Sequence, residues 1–508
     1  MSPEQVKKLL GNQQEVAFID VRETADYGRG HPFFVSHVAY SILEAKITSF
    51  VPCLKTTVIL IDNGDGISEK ASLHLGEMGY QNIITVKGGI NAWRDAGYAL
   101  YEGISAPSKS FGEVVEHELG TPSITATELK ARMDAGDDFL LLDGRTPAEF
   151  NKMTIPGSTS CPNAELALRY RAMMENPNAD IIVNCAGRTR SLIGAQSLRL
   201  LEINNNVYAL ENGTMGWKIA GLELEHGAIR SFPSDLNEGA LVEAVKNAET
   251  LSQKYSIETI DQNTLKAWQS DKDRTTYTFD VRTEEEFTEG HVSGATHAPG
   301  GQLVQATDQW FATRNARIVV YDNHKIRAVI TAIWLKGMGH DAYVLDNDEL
   351  ITEKSKNARY SNCETIPIGR LAAKLEDGVT LLDVRSSQAY RDAHIEGALW
   401  TIRPKLSELN IKGDVVIIAD DISIADLAAK DIDADVSISI SSFGGWDIMG
   451  FKVVSTPNNP PDEDRIDFQF HTHARHSGNL DHAREYLRWE TGLMDQMDDQ
   501  EKATLKPL

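Results

Sequence analysis

Phe18 to Tyr27 reads FIDVRETADY, and the run returns three times: LLDGRTPAEF at Leu141 to Phe150, TFDVRTEEEF at Thr278 to Phe287 and LLDVRSSQAY at Leu381 to Tyr390. Each copy is an apolar run, then Asp-x-Arg, then an aromatic residue five positions beyond the Arg. Outward from this core, three copies continue into a turn with His or Pro and a small residue: IPGS from Ile155, GHVSGA from Gly290 and AHIEGA from Ala393. A second strand-like run follows in all four, VILI at Val58, IIVN at Ile181, IVVY at Ile318 and VIIA at Val416. The spacing from the Asp to the residue just after that run is 42 from Asp20 to Asp62, from Asp143 to Cys185 and from Asp280 to Asp322, and 37 from Asp383 to Asp420. Three copies close on Gly and Trp, GGINAW to Trp93, NGTMGW to Trp217 and FGGW to Trp446, whereas the third has LDNDEL from Leu345 near that place.

Short β-branched runs alternate in each copy with helix-like stretches such as Thr125 to Gly136 and Ser191 to Glu202. In the latter, Leu192, Ala195, Leu198 and Leu201 make an apolar stripe at helical spacing. Such alternation predicts an α/β fold, each copy a mostly parallel sheet flanked by helices. The expected domains are 3–104, 123–230, 256–353 and 364–458, followed by a C-terminal helical tail at 459–508. Ser105 to Ser123 is read as the first linker, Ser231 to Tyr255 as a longer, partly helical one, and Lys354 to Cys363 as a short third.

The chain has 508 residues, 41% of them hydrophobic, so four cores of this size are feasible and a disordered or collagen-like chain is excluded. A formal net charge of −24 has the wrong sign for holding nucleic acid or an anionic membrane by the overall field. Any bound anion therefore needs a local site. Four scattered cysteines, Cys53, Cys161, Cys185 and Cys363, form neither a disulfide framework nor a zinc spacing. The N-terminus lacks an apolar signal core and no run approaches a membrane span, which reads as a cytoplasmic protein with reduced thiols.

The loops after the second strand differ. The second copy has CAGRTRS, Cys185 to Ser191, where the others have DNGDGIS from Asp62, DNHKIRA from Asp322 and DDISIAD from Asp420. A thiol at the end of a strand, before a helix N-terminus and beside Arg188 and Arg190, stands in a field expected to lower its pKa from about 8.5 toward or below neutrality. Gly187 lets the loop curl tightly. The bland alternative is an inert buried Cys; the two Arg residues, the Gly and the position argue against it. Asp at the Cys position cannot form a sulfur-centred covalent intermediate, so domains one, three and four are expected to be inactive scaffold.

The Asp-x-Arg segment, the His-x-x-Gly-Ala turn, the Cys loop and the closing Gly-Trp resemble the rhodanese homology domain, and residues 3 to 458 resemble bacterial proteins with four tandem rhodanese domains, one of them active. The resemblance implies a thiosulfate sulfurtransferase. Cys185 would take sulfane sulfur from thiosulfate, release sulfite, and pass the sulfur to cyanide or a thiol by a ping-pong route. Arg188 and Arg190 would neutralise the donor and the leaving sulfite, and the N–H groups of Ala186 to Ser191, Gly187 and Thr189 included, would stabilise the persulfide anion. No cofactor or metal is expected. A sulfur relay handing persulfide to a protein partner is the alternative. A phosphatase is disfavoured, because fold relatives with that activity place the Arg six residues after the Cys, where Ser191 stands here. The loop also lacks the Cys-Gly-x-Gly-Val-Thr pattern of mercaptopyruvate sulfurtransferases.

Other candidates have structural readings. Asp143 with Arg145 recurs in copies without Cys and reads as a structural ion pair. Trp217, recurring as Trp93 and Trp446, reads as core. Cys161 could serve as a resolving thiol, although nothing else marks it. His471, His473, His476 and His482 lack a local carboxylate or Cys to complete a metal site and read as a solvated or docking segment. The helix-like stretch from Leu480, with Tyr486 and Trp489 as apolar anchors, is expected to pack across domains or a partner subunit and to border the active site. A homodimer is the base-rate expectation.

Overall fold

The computed structural model describes residues 1–347, 349–352, 363–411, 413–440, 445–469 and 479–508. The chain divides into two compact units. One is Met1–Lys8, Ala17–Gly103 and Lys354–Phe470, holding repeats one and four; the other is Leu9–Val16, Ile104–Glu353 and His471–Leu508, holding repeats two and three with the tail.

Repeat two shows how the sequence pattern becomes a sheet. Its strands lie in the order Ser123–Ile124, Val207–Leu210, Asp180–Asn184, Phe139–Asp143, Thr159–Ser160, all parallel. Register is set by Leu141 opposite Ile182 and Asp143 opposite Asn184. Helices cover both faces, so the central strands are continuous apolar runs rather than alternating ones. Leu142, Ile181 and Val183 face one core with Leu166, Leu192 and Leu198, and Leu141 and Ile182 face the other with Leu129, Ile155 and Trp217. Full burial of each such side chain contributes about 1.5–3 kcal/mol. Repeats three and four have five parallel strands in the same order, with Arg317–Tyr321 and Val415–Ala419 central. In repeat one, Val16–Asp20 lies between Ser36–His37 and Thr57–Ile61, with Asn82–Thr85 beyond. No described residue after Asp346 in repeat three forms the helix that carries Trp93 in repeat one and Trp217 in repeat two.

Within each unit the two repeats meet through buried polar anchors. In the first unit, Arg403 binds Glu44 at 2.6 Å and lies 4.4 Å over the ring of Tyr40, whose hydroxyl donates to Asp431 at 2.7 Å. In the second, Arg327 reaches Glu165 at 2.8 Å and the Trp334 indole donates to Ser197 at 2.9 Å.

The first expected linker proves to be a helix, Ala106–Leu119, with an unbroken buried run from Ser108 to Val115. Its Pro-Ser start and scattered Ser and Gly hid it in the sequence. The tail forms helices at Leu480–Thr491, Leu493–Gln496 and Asp499–Thr504. Asn479 caps the first of them by accepting from the N–H groups of Asp481 and His482. That helix buries Ala483, Leu487 and Glu490, one face at spacings of four and three. Ala483 and Leu487 pack on Met215 of repeat two, and the Lys506 N–H reaches the Gly337 carbonyl of repeat three at 2.7 Å. Among the described residues no helix is long and apolar enough to cross a membrane.

Candidate functional site

Cys185 follows the Asp180–Asn184 strand, and the loop after it enters the Thr189–Leu200 helix, with Arg188 at the N-cap. A second helix, Gly213–Ile219, holds the loop from the other side: the N–H of Thr214 donates to the Cys185 carbonyl at 2.8 Å and that of Met215 to the Ala186 carbonyl at 3.0 Å. Gly213 sits at φ +51°, and a Cβ there would overlap the Cys185 carbonyl. The same close approach occurs in repeat one, where a Cβ on Gly89 would overlap the Asp62 carbonyl. The Ser191 hydroxyl donates to the Arg188 carbonyl at 2.8 Å and fixes the turn.

Cys185 is only 2% exposed, and burial pushes its thiol up. Arg190 and the hydroxyl and N–H of Ser191 pull the other way, and Glu490 pushes it further up. The lowered pKa expected from the sequence is thus corrected. Position at a helix N-terminus is offset by desolvation and by carboxylates that the local motif does not show.

The two arginines are both committed to carboxylates. Arg188 donates through Nε and Nη2 to Glu113 at 2.8 and 3.0 Å and also reaches Glu116, all from the Ala106–Leu119 helix. Arg190 makes a two-pronged pair with Glu149 at 2.7 Å for each bond. Glu149 is itself fixed in a capping box with Thr146, and with Arg190 and Thr146 offsetting the burial it is held at about 2. Repeat three repeats this arrangement, Arg327 pairing with Glu286 at 2.6 and 2.8 Å and Glu286 forming a capping box with Thr283. An arginine kept in a copy without Cys is a framework arginine. The expectation that Arg188 and Arg190 stand ready to neutralise a donor gives way to one in which their charge is already balanced.

Beside Cys185 opens a cavity of about 260 Å³. Repeat two supplies the Cys185–Arg190 loop, Glu149 and Met215; repeat three supplies Gln305 and Trp310; the tail supplies Tyr486 and Glu490. The tail helix therefore borders Cys185. A Cβ on Gly187 would lie 3.0 Å from Oε2 of Glu490 and 3.0 Å from Cε of Met215, so a larger residue there requires both side-chain ends to give way by a few tenths of an ångström. Thr189 donates to Oε1 of Glu490 at 2.9 Å. Lys109 donates to the Tyr486 hydroxyl at 2.9 Å and lies 4.9 and 5.0 Å from the ring centres of Tyr486 and Trp489. Glu113, behind Arg188, is pushed up to about 7 by burial, with Glu490 and Glu116 adding to the rise and Arg188 opposing it.

The equivalent loops of repeats one and three are filled by their own aspartates. Asp62 accepts from the N–H groups of Gly64 at 2.8 Å and Ser68 at 2.9 Å. Asp322 accepts from the N–H groups of His324 at 3.1 Å and Arg327 at 2.9 Å and from the Arg327 guanidinium at 2.7 Å. In repeat four, Asp421 caps the following helix through the Ser423 N–H at 2.8 Å.

The remaining sequence candidates fall outside this chemistry. Asp143 and Arg145 form a buried pair at 2.7 Å, as do Asp20 with Arg22, Asp280 with Arg282 and Asp383 with Arg385 at 2.6 Å each. Trp217 is in the core, its indole donating to the Glu223 carbonyl at 2.8 Å. Cys161 is packed among Leu142, Leu166 and Val183 with no exposure, and burial raises its thiol far above the usual range, so it is a core residue and no resolving thiol. His471, His473 and His476 lie outside the described residues. Among the described residues no group of three or more His, Cys, Asp or Glu side chains could hold a metal.

The model of the rhodanese-like domain matches residues 2–96, 125–220 and 261–348. The chain belongs to the rhodanese family. The fourth repeat lies outside the matched residues, although its sheet has the family order of strands seen in repeats two and three. A solved structure, a thiosulfate sulfurtransferase from Pseudomonas aeruginosa, is 34% identical, with a TM-score of 0.91 over 100% of this chain and 99% of that one. A rhodanese-related protein from Thermoplasma volcanium is 24% identical over 20% of this chain and 97% of its own, with a TM-score of 0.18. Among curated proteins, an HTH-type transcriptional regulator of Mycobacterium tuberculosis is 33% identical over 113 residues, 22% of this chain. The match spans about half of that relative's length, 48%.

Sequence reasoning missed Glu113, Lys109 and Glu490. The first two sat in a stretch taken for a linker. Glu490 did carry a signal: it continues the stripe of Ala483 and Leu487, and a carboxylate on the buried face of a helix needs a reason.

Proposed function

We propose that repeat two is a sulfurtransferase centre in which Cys185 carries the sulfur as a persulfide, and that the chain comprises domains 3–104, 123–230, 256–353 and 364–458 with only the second catalytic. The observation that carries this reading is the exchange at one position. Where repeats one and three place a carboxylate that takes the loop N–H groups, repeat two places a thiol with Ser191 offering the same kind of donors, beside an open cavity. Family membership and the full-length likeness to a thiosulfate sulfurtransferase support sulfur-transfer chemistry.

In this reading the Cys185 thiolate attacks the outer sulfur of thiosulfate, the S–S bond of the donor breaks, and sulfite leaves with the bonding pair. The persulfide anion then receives N–H donors from the Ala186–Ser191 loop. Because Arg188 and Arg190 are paired, they act by shaping the loop and by a residual field rather than by gripping the donor. A thiol 2% exposed and overlaid by the tail favours a small acceptor, cyanide or a low-molecular-weight thiol, over relay to a protein. Mass spectrometry after incubation with thiosulfate tests the proposal. The expected result is a gain of one sulfur atom on Cys185, absent in Cys185→Ser and discharged by cyanide or a small thiol. An unmodified Cys185 in active preparations, or turnover retained in Cys185→Ser, overturns it.

A further inference from the structure

Glu490 is 1% exposed, lines the cavity beside Cys185, and has one hydrogen bond, from Thr189 to Oε1. Its other oxygen, Oε2, is buried without a partner, and no cation lies within ion-pair distance of it among the described residues. The side-chain oxygen of Gln305, on another wall of the same cavity, is also buried and unpartnered. Both residues line the one cavity and both oxygens are buried without a donor, one of them carrying a full charge, whereas buried polar groups of folded proteins are as a rule paired.

We propose that this pair is the recognition site for a protonated primary amine, and that the sulfur acceptor is a small aminothiol whose ammonium group docks on Glu490 and Gln305 while its sulfur faces Cys185. The inference rests on the sulfurtransferase reading of Cys185. An ammonium group supplies N–H donors and cancels a carboxylate that, unlike the Arg190-paired Glu149, has no cation to balance it among the described residues and otherwise repels the persulfide and the incoming thiolate. Acceptors that carry a carboxylate in that place, or nothing, leave Glu490 unpaired. The cavity, about 260 Å³, falls below the 300–1,000 Å³ usual for drug-sized ligands and suits a molecule of a few heavy atoms. The transfer balances without any oxidant or reductant. The acceptor thiol loses its proton to solvent, its thiolate attacks the outer persulfide sulfur, a new S–S bond forms, and the pair from the broken bond stays on Cys185 Sγ as thiolate.

The test loads the full chain with sulfur from thiosulfate and follows discharge of the Cys185 persulfide by cysteamine, cysteine, β-mercaptoethanol and mercaptoacetate, each rate divided by that thiol's thiolate fraction. Cysteamine should exceed β-mercaptoethanol by about tenfold or more in kcat/KM, as expected for a charge-assisted hydrogen bond, and mercaptoacetate should be the poorest. Cysteine shows whether a carboxylate is tolerated next to the amine. In Glu490→Gln the cysteamine preference should collapse toward parity, because cysteamine loses its carboxylate partner while β-mercaptoethanol and mercaptoacetate speed up with the repelling charge gone. A merely structural role would slow all four alike. Equal rates for cysteamine and β-mercaptoethanol in the native chain overturn the inference and leave the sulfurtransferase reading standing. A preference that survives Glu490→Gln overturns the assignment to Glu490. Failure of Cys185 to load overturns both.

Discussion

Replacing Glu149 by Gln separates what Arg190 does for the fold from what it does for the thiol. The pair has two bonds of 2.7 Å, and the arginine side chain is 9% exposed against 38% for the glutamate. A carboxyl held at about 2 instead of its ordinary 4.5 would correspond, if fully shielded, to roughly 3.4 kcal/mol. Screening at a group this exposed cuts that to about 2 kcal/mol, which is the loss expected in urea denaturation of the full chain. The same substitution removes a negative charge from the wall of the Cys185 cavity and frees the pull of Arg190. Alkylation of Cys185 by iodoacetamide at neutral pH, read on its tryptic peptide, should accelerate by about tenfold, the effect of a unit charge across a cavity at an effective dielectric of about 20. Glu286→Gln is the internal control. Arg327 keeps Asp322 and Glu165 as partners, so the loss of stability should be smaller and Cys185 should be unaffected. Destabilisation with unchanged or slower alkylation in Glu149→Gln would refute the claim that Glu149 cancels the field of Arg190.

Gly213→Ala should cost several-fold in Cys185 loading by thiosulfate, and roughly 1–3 kcal/mol in urea denaturation, because a Cβ at a positive φ meets the Cys185 carbonyl. Stability from the Glu149 and Glu286 pairs is complete above about pH 4.5 and lost as pH falls toward 2, since both carboxyls are held at about 2 when folded; thermal melts of Glu149→Gln and Glu286→Gln should therefore converge with the parent at low pH. Glu23 is the opposite case: burial, aided by Asp467 and Asp26 and opposed by Ser41, raises it to about 7, so folding takes up a proton and stability falls as pH rises from about 4.5 through 7. Glu23→Gln, which still accepts from Ser41, should thus stabilise more at pH 8 than at pH 5, and an equal effect at both would count against the assignment.

The repeated core was legible in the sequence because each of its features has a local cause. An apolar run covered on both faces must be a central parallel strand, and Asp-x-Arg at its end closes on itself at 2.6–2.7 Å within three residues. The Cys loop was legible for the same reason. What the sequence could not supply was the partner of each charge. Arg188 meets Glu113 across 75 positions, and Thr189 meets Glu490 across 301. A positive potential inferred from two neighbouring arginines is a local argument, and it fails when tertiary structure brings carboxylates to both. The Ala106–Leu119 helix was missed because Ser108, Lys109, Ser110 and Glu113 are buried against other repeats rather than facing solvent, so it lacks the polar face that marks a helix in a sequence.

The aspartates of repeats one and three also explain why a chain would keep copies that have no nucleophile. A strand end that opens into a helix N-terminus presents several N–H groups to one point, and a buried cluster of such donors is costly unless something accepts from it. In the proposed function of repeat two, that acceptor comes and goes, as thiolate or persulfide sulfur. A carboxylate at the same position is a permanent acceptor: Asp62 takes two loop N–H groups, and Asp322 takes two and anchors Arg327, which in turn binds Glu165 of repeat two. The substitution of Cys by Asp therefore exchanges reactivity for rigidity. Asp322→Ala should then cost on the order of 3 kcal/mol or more, since it strips donors and a fully buried guanidinium at once, and should slow Cys185 loading through the Glu165 contact. A variant that keeps its native urea midpoint would mean that the carboxylate is dispensable and that repeat three supports repeat two by packing alone.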